Sequence, residues 1–96
     1  MNFGDTVAAL KAGKRVARSG WNGKGMFLYY VPEGQYPART DIAKQEWGED
    51  GLVPYQAYIA MKTAQGTVVP WLASQTDILA EDWAEVGGSE RTTIVS

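Results

Sequence analysis

Met26-Phe27-Leu28-Tyr29-Tyr30-Val31 is the stretch that decides the fold of this 96-residue chain. Its residues are all apolar or aromatic, and Gly25 and Pro32 on either side interrupt regular structure. Aromatic and β-branched side chains suit a pleated, half-buried surface. We therefore predict that this stretch is a strand and the clearest element of a sheet.

Strands that can pair with it are predicted on both sides along the chain. Arg15–Arg18 has the pattern of a brief strand, and Trp83–Val86 returns to alternation later. Between them, Tyr55–Thr63 and Gly66–Pro70 flank a turn. This pattern predicts a hairpin in which Gly66 supplies the positive φ.

Short helices are predicted at three places. Residues 3–12 carry apolar side chains at helical spacing, with Asn2 as the N-cap and Gly13 as the stop. The polar piece Ile42–Trp47 is a candidate second helix, and Ser74 begins a third of about two turns. The chain is therefore predicted to be an α+β protein with a small antiparallel sheet and two or three short helices.

The length suits one domain. We predict a single domain over residues 1–86, in which residues 33–54 are a variable excursion rather than a second domain. A polar tail follows at residues 87–96. No apolar run approaches the ~20 residues of a membrane span, and no signal peptide opens the chain, so we expect a soluble protein.

The composition excludes several kinds of chemistry. The chain has neither Cys nor His, which removes disulfides, thiolate nucleophiles, Cys/His zinc sites and serine–histidine triads. A carboxylate metal site, or acid–base work by other side chains, stays open. The net charge of −2 argues against a protein that coats nucleic acid.

The charge is distributed unevenly along the chain. Residues 1–25 carry five basic side chains and one acidic side chain, whereas residues 26–96 carry four basic and ten acidic ones. Such opposed patches indicate either self-association or an anion site near the N-terminus. The simpler alternative is two ordinary surfaces that differ in charge.

The first candidate site is the segment from Arg18 to Met26. Trp21 can stack on a flat ligand, Asn22 can both donate and accept hydrogen bonds, and Arg18 and Lys24 can meet phosphate groups. The residues alone favour a simpler structure, a hairpin turn with Trp21 folded back on the core.

The second candidate site is the segment Pro70–Asp77. It places Trp71 beside the predicted helix start and brings four polar side chains together. Capping by Ser74 and Asp77 explains two of them and leaves Gln75 and Thr76 without a structural role.

Five motifs of the chain resemble one family, the second type of Thoeris anti-defence protein. The resemblance covers roughly residues 2–31 and 57–86. The motifs are Asn2-Phe3-Gly4, Ala9-Leu10-Lys11-Ala12-Gly13-Lys14, Gly20-Trp21-Asn22-Gly23-Lys24-Gly25-Met26, Ile59-Ala60-Met61-Lys62-Thr63, and Pro70-Trp71-Leu72-Ala73-Ser74-Gln75-Thr76-Asp77 with Ala80-Glu81-Asp82-Trp83.

The resemblance implies a phage-encoded sponge for bacterial immune signals. Such a protein is a homotetramer that binds glycocyclic ADP-ribose without cleaving it, so that the Thoeris effector stays off. Some members also hold cyclic dinucleotides in a separate pocket, which would extend the inhibition to CBASS immunity. The resemblance places the protein in the cytoplasm of the infected bacterial host and implies no cofactor, no nucleic acid and no membrane partner.

The resemblance also gives roles to the candidate residues. Trp21 would stack on the adenine, Asp77 would hold ribose hydroxyls together with polar neighbours, and the basic side chains would meet the pyrophosphate. No catalytic residue and no metal ligand is predicted. The predicted ligand-binding residues are Arg18, Trp21, Asn22, Gly23, Lys24, Met26, Trp71, Ser74, Gln75, Thr76 and Asp77.

Two alternatives belong to other functional classes. A metal-dependent hydrolase of the same signal would use Asp77, Glu81 or Asp82, although a solvated acidic surface explains these carboxylates more simply. A protein-binding inhibitor would instead block an immune enzyme directly.

Overall fold

The computed structural model describes residues 1–21 and 24–87, which form three helices and seven strands. Five strands make one antiparallel sheet in the order β6-β5-β2-β1-β7, and β3 and β4 make a separate two-stranded sheet. The predicted α+β class is therefore confirmed. The elements in chain order are α1 (Phe3–Lys11), β1 (Val16–Arg18), β2 (Phe27–Val31), β3 (Gly34–Pro37), α2 (Asp41–Trp47), β4 (Leu52–Tyr55), β5 (Tyr58–Lys62), β6 (Val68–Pro70), α3 (Gln75–Leu79) and β7 (Trp83–Glu85).

The predicted central strand, β2, lies in the middle of the large sheet. Its Leu28 is fully buried, pairing with Val16 of β1 on one side and with Met61 of β5 on the other. The predicted hairpin joins β5 to β6, and Gly66 in its turn has φ +89°. Only Gly accepts that backbone angle without strain, so the turn is fixed by this residue.

Helix α1 begins at the predicted residue, Phe3, and ends at Lys11, one residue before the predicted end. The Asn2 side chain accepts a hydrogen bond from the Asp5 backbone N–H, and the Asp5 carboxylate accepts one from the Asn2 N–H. At the other end Gly13 has φ +88°, and the Lys14 N–H bonds back to the Ala9 carbonyl. These two motifs satisfy backbone groups that a free helix end leaves without partners.

The structure of residues 33–54 differs in part from what the sequence predicts. Helix α2 confirms the predicted helical piece, but β3 and β4 were not predicted as strands. Gly34 and Pro37 bound β3, and such residues normally indicate turns rather than strands. Tyr55 belongs to β4 and not to the hairpin strand. The single-domain boundary stays a prediction, and nearly all of the predicted tail lies outside the described residues.

The core lies between α1 and one face of the large sheet. Because side chains alternate along a strand, Leu28 and Tyr30 face α1, whereas Phe27 and Tyr29 face the opposite side. None of the described helices is long and apolar enough to cross a membrane. The buried core cluster consists of Ala9, Leu10, Val16, Leu28 and Trp83.

Candidate functional site

A cluster of aromatic rings surrounds Trp83, which is only 2% exposed. The ring of Trp21 lies 5.5 Å from that of Trp83 and the ring of Trp71 lies 6.0 Å from it, both in an edge-to-face arrangement. Phe3 of α1 packs at 5.7 Å. Trp21 and Trp71 are themselves half-buried, so the two candidate segments meet on one core side chain.

A guanidinium joins the same two segments. Arg18 at the end of β1 donates from Nη1 to Asp77 Oδ1 at 3.0 Å and from Nε to Asp82 Oδ1 at 2.9 Å. The pairing of β1 with β7 sets this geometry, because Arg18 lies opposite Trp83, the residue after Asp82. Two carboxylates therefore compensate the charge of Arg18 within the protein.

Each carboxylate is also bound to the backbone of its neighbours. Asp82 Oδ2 accepts from the Gly20 N–H at 3.0 Å and from the Ser19 hydroxyl at 3.3 Å. Asp77 Oδ2 accepts from the Ser74 N–H at 3.2 Å, while the Asp77 N–H donates to the Ser74 hydroxyl at 3.0 Å. The network therefore fixes both the turn that leads to Trp21 and the start of α3.

The electrostatics keep this network ionised. The hydrogen bond from Arg18 holds the pKa of Asp82 below its usual value, and the Gly20 N–H adds to the effect. Burial alone would raise the pKa of Asp77, but the hydrogen bonds from Arg18 and Ser74 outweigh it and the net shift is downward. The bonds to Asp82 and Asp77 raise the pKa of Arg18 in turn.

The other predicted site residues that the structure describes take no part in the hydrogen bonds of this network. Gln75 and Thr76 are exposed in the first turn of α3, Lys24 is exposed, and Met26 is half-buried just before β2. Asn22 and Gly23 lie outside the described residues, so their predicted roles stay predictions.

Sequence reasoning missed the role of Asp82. Its carboxylate was assigned to an acidic surface or a metal cluster, whereas it binds Arg18, a residue 64 positions away. Among the described residues, no group of three carboxylates converges as a metal site would require. One feature of the sequence could have indicated this role. The strand predicted to start at Trp83 places Asp82 directly before a strand of the sheet, where it can meet a residue of a neighbouring strand.

The fold and the site define a class: a small α+β protein that presents polar groups beside a half-buried tryptophan cluster. Comparison with known proteins shows the family. The family model for the Thoeris anti-defense 2-like domain matches residues 1–86. A protein named "Thoeris anti-defense 2" from Bacillus phage SP01 is 39% identical over 83 residues, which are 86% of this chain and 91% of that protein. The chain therefore belongs to the Thoeris anti-defense 2-like family.

Proposed function

We propose that this chain is a phage anti-defence protein that binds and sequesters glycocyclic ADP-ribose immune signals without cleaving them. The observation that carries the proposal is the 3.0 Å contact between Arg18 and Asp77, which joins the Trp21 turn to the start of α3. Family membership supports the anti-defence role, and this contact supports the position of the binding site.

The chemistry of the joined segments suits such a ligand. The half-buried ring of Trp21 offers a surface for the adenine, and aromatic stacking on a base is worth ~1–3 kcal/mol. Gln75 and Thr76, exposed on the first turn of α3, face no partner that would use their polar atoms in the described structure. They are available for ribose hydroxyls, whereas the Ser74 hydroxyl is already bonded to Asp77.

The pyrophosphate would meet cations of two kinds. Lys24 is exposed, and no ion pair with a described residue occupies it. Arg18 uses Nε and Nη1 for its carboxylates, and the rest of its five N–H donors remain for a phosphate oxygen. We propose that Arg18 mainly positions Asp77 and the turn, and that Lys24 adds charge.

The assembly we propose is a homotetramer in the host cytoplasm. Leu72, Ile42 and Leu79 are 91%, 78% and 77% exposed, which is apolar surface that association would cover. Light scattering at micromolar concentration tests this part. A particle of the size of one chain would contradict it.

Calorimetry across glycocyclic ADP-ribose isomers and cyclic dinucleotides tests the proposed ligand. We expect an isomer of glycocyclic ADP-ribose to bind, and we expect Gln75→Ala and Trp21→Ala each to weaken its binding. Gln45→Ala, an exposed glutamine on α2, is the matched control and should leave the affinity unchanged.

Recovery of the ligand separates sequestration from the alternatives. The complex is heated to denature the protein, and the released ligand is compared with the input by chromatography. Intact ligand supports sequestration, and altered ligand would identify a hydrolase. Co-purification of a host protein with no small-molecule affinity would instead identify a protein-binding inhibitor.

A further inference from the structure

A second group of cations lies on the sheet face opposite to α1. The guanidinium carbon of Arg15 lies 4.8 Å from the centre of the Phe27 ring, and the ammonium of Lys62 lies 5.7 Å from it. Phe27 and Lys62 are paired across β2 and β5, so the sheet register holds this arrangement. Two like charges are therefore brought together on one aromatic ring.

The charges of these two cations, unlike that of Arg18, are not balanced by carboxylates of the described residues. The ion pairs among the described residues include neither Arg15 nor Lys62, whereas Arg18 has two. The Lys62 ammonium donates to the Gly25 carbonyl at 3.1 Å, which fixes its position but does not neutralise its charge. Both side chains are half-buried, so their mutual repulsion is screened less than it would be between fully exposed groups.

A cavity of about 490 Å³ opens at this point. Arg15, Phe27, Tyr29 and Lys62 contribute to its wall, and none of the described residues that line it is acidic. The Phe27 and Tyr29 rings lie 6.1 Å apart, so the wall is aromatic next to its cations. A volume of this size is in the range that small-molecule sites occupy.

We propose that this cavity is a binding site for an aromatic phosphate monoester, a ligand with one terminal phosphate and a flat ring. A terminal phosphate carries between one and two negative charges at neutral pH and three acceptor oxygens at one point. Arg15 and Lys62 converge on one ring and match such concentrated charge better than the single charge of a phosphodiester. The flat ring of the ligand packs against Tyr29.

This site is separate from the one proposed above. The core side chain Leu28 lies between Phe27 and Tyr29 in β2 and faces the opposite side of the sheet, toward Trp83. Arg15→Gln should therefore leave the binding of glycocyclic ADP-ribose unchanged, whereas Lys62 also holds the Gly25 carbonyl, which follows Lys24 of the other site. Failure of one proposal can be distinguished from failure of the other.

Calorimetry with four simple probes tests the proposal on the unaltered protein. Adenosine monophosphate should bind, whereas adenosine, cyclic adenosine monophosphate and inorganic phosphate should each bind at least about tenfold more weakly. Equal binding of adenosine would show that the phosphate is not recognised. If cyclic adenosine monophosphate bound as tightly as adenosine monophosphate, the preference for a monoester would be overturned. If inorganic phosphate did so, the role of the aromatic ring would be overturned.

Substitution locates the bound probe. Arg15→Gln and Lys62→Gln should each weaken the binding of adenosine monophosphate about tenfold, because each removes a charged hydrogen-bond donor. Lys11→Gln removes the same charge from an exposed position at the end of α1 and should change the affinity less than about twofold. Unchanged affinity in both cavity variants, with their thermal unfolding intact, would overturn the assignment.

Discussion

Replacing Trp83 by phenylalanine is the sharpest test of the core beneath the site. Trp83 is the largest fully buried side chain, and its indole N–H donates to the Asp77 carbonyl at 2.9 Å. Truncating a buried aromatic residue to alanine costs about 3–5 kcal/mol, and phenylalanine retains one of the two fused rings. Loss of the hydrogen bond adds about 1 kcal/mol. This cost is small for a buried carbonyl, because the Ala80 N–H still donates to the Asp77 carbonyl at 3.3 Å.

We therefore expect Trp83→Phe to lower the free energy of unfolding by about 2 kcal/mol. For a domain of this size that corresponds to a fall in Tm of about 10 °C. Urea denaturation followed by far-ultraviolet circular dichroism measures this loss of stability. All measurements use one protein concentration, because the proposed assembly would couple to stability.

Trp47→Phe is the matched control for this measurement. Trp47 is 46% exposed on α2, so its substitution should change stability by less than about 0.5 kcal/mol. Equal losses in Trp83→Phe and Trp47→Phe would refute the conclusion that Trp83 is the centre of the core.

Two further predictions concern the polar network. The lowered pKa values of Asp77 and Asp82 stabilise the fold fully above the ordinary aspartate pKa of about 3.9, and this contribution is lost as the pH falls through the lower folded values. In a plot of Tm against pH, Asp82→Asn should reduce the fall of Tm on the acidic side. Glu81→Gln should leave that fall unchanged. Ser74→Ala should cost about 1 kcal/mol in urea denaturation through loss of its cap, whereas Thr76→Ala should cost less than half of that.

Helix caps were predictable because their chemistry is local. Asn2 with Asp5, and Ser74 with Asp77, satisfy free backbone N–H groups within four residues of each other. Both capping partners therefore lie within one short sequence motif. The third helix was nevertheless expected to be longer than its five residues, because the end of a short helix depends on packing and not only on its start.

Contacts between distant residues could not be predicted in this way. Arg18 and Asp82 meet because β1 pairs with β7, and no local pattern encodes that register. Arg15 and Lys62 likewise share one ring only because β2 pairs with β1 on one side and with β5 on the other. The charge excess of the first 25 residues was visible in the sequence, but which of its cations are compensated was not.

For Trp21, the sequence and the structure agree on packing but leave a role in ligand binding open. The residues alone favoured a ring folded back on the core, and the structure places that ring against Trp83. The same ring is half-buried, so part of its surface still faces solvent. Packing on the core and stacking on a ligand are therefore compatible, and the binding role remains a proposal.

The protonation state of the network argues against one catalytic role, that of a general acid. A general acid needs a pKa raised toward the working pH, so that it holds a proton it can give away. Arg18 does the opposite to Asp77 and Asp82, because it lowers their pKa values and keeps both carboxylates charged. Carboxylates held in this state accept hydrogen bonds at fixed positions but are poor proton donors near neutral pH. This argument concerns proton donation alone, so recovery of the ligand after denaturation remains the test that separates sequestration from hydrolysis.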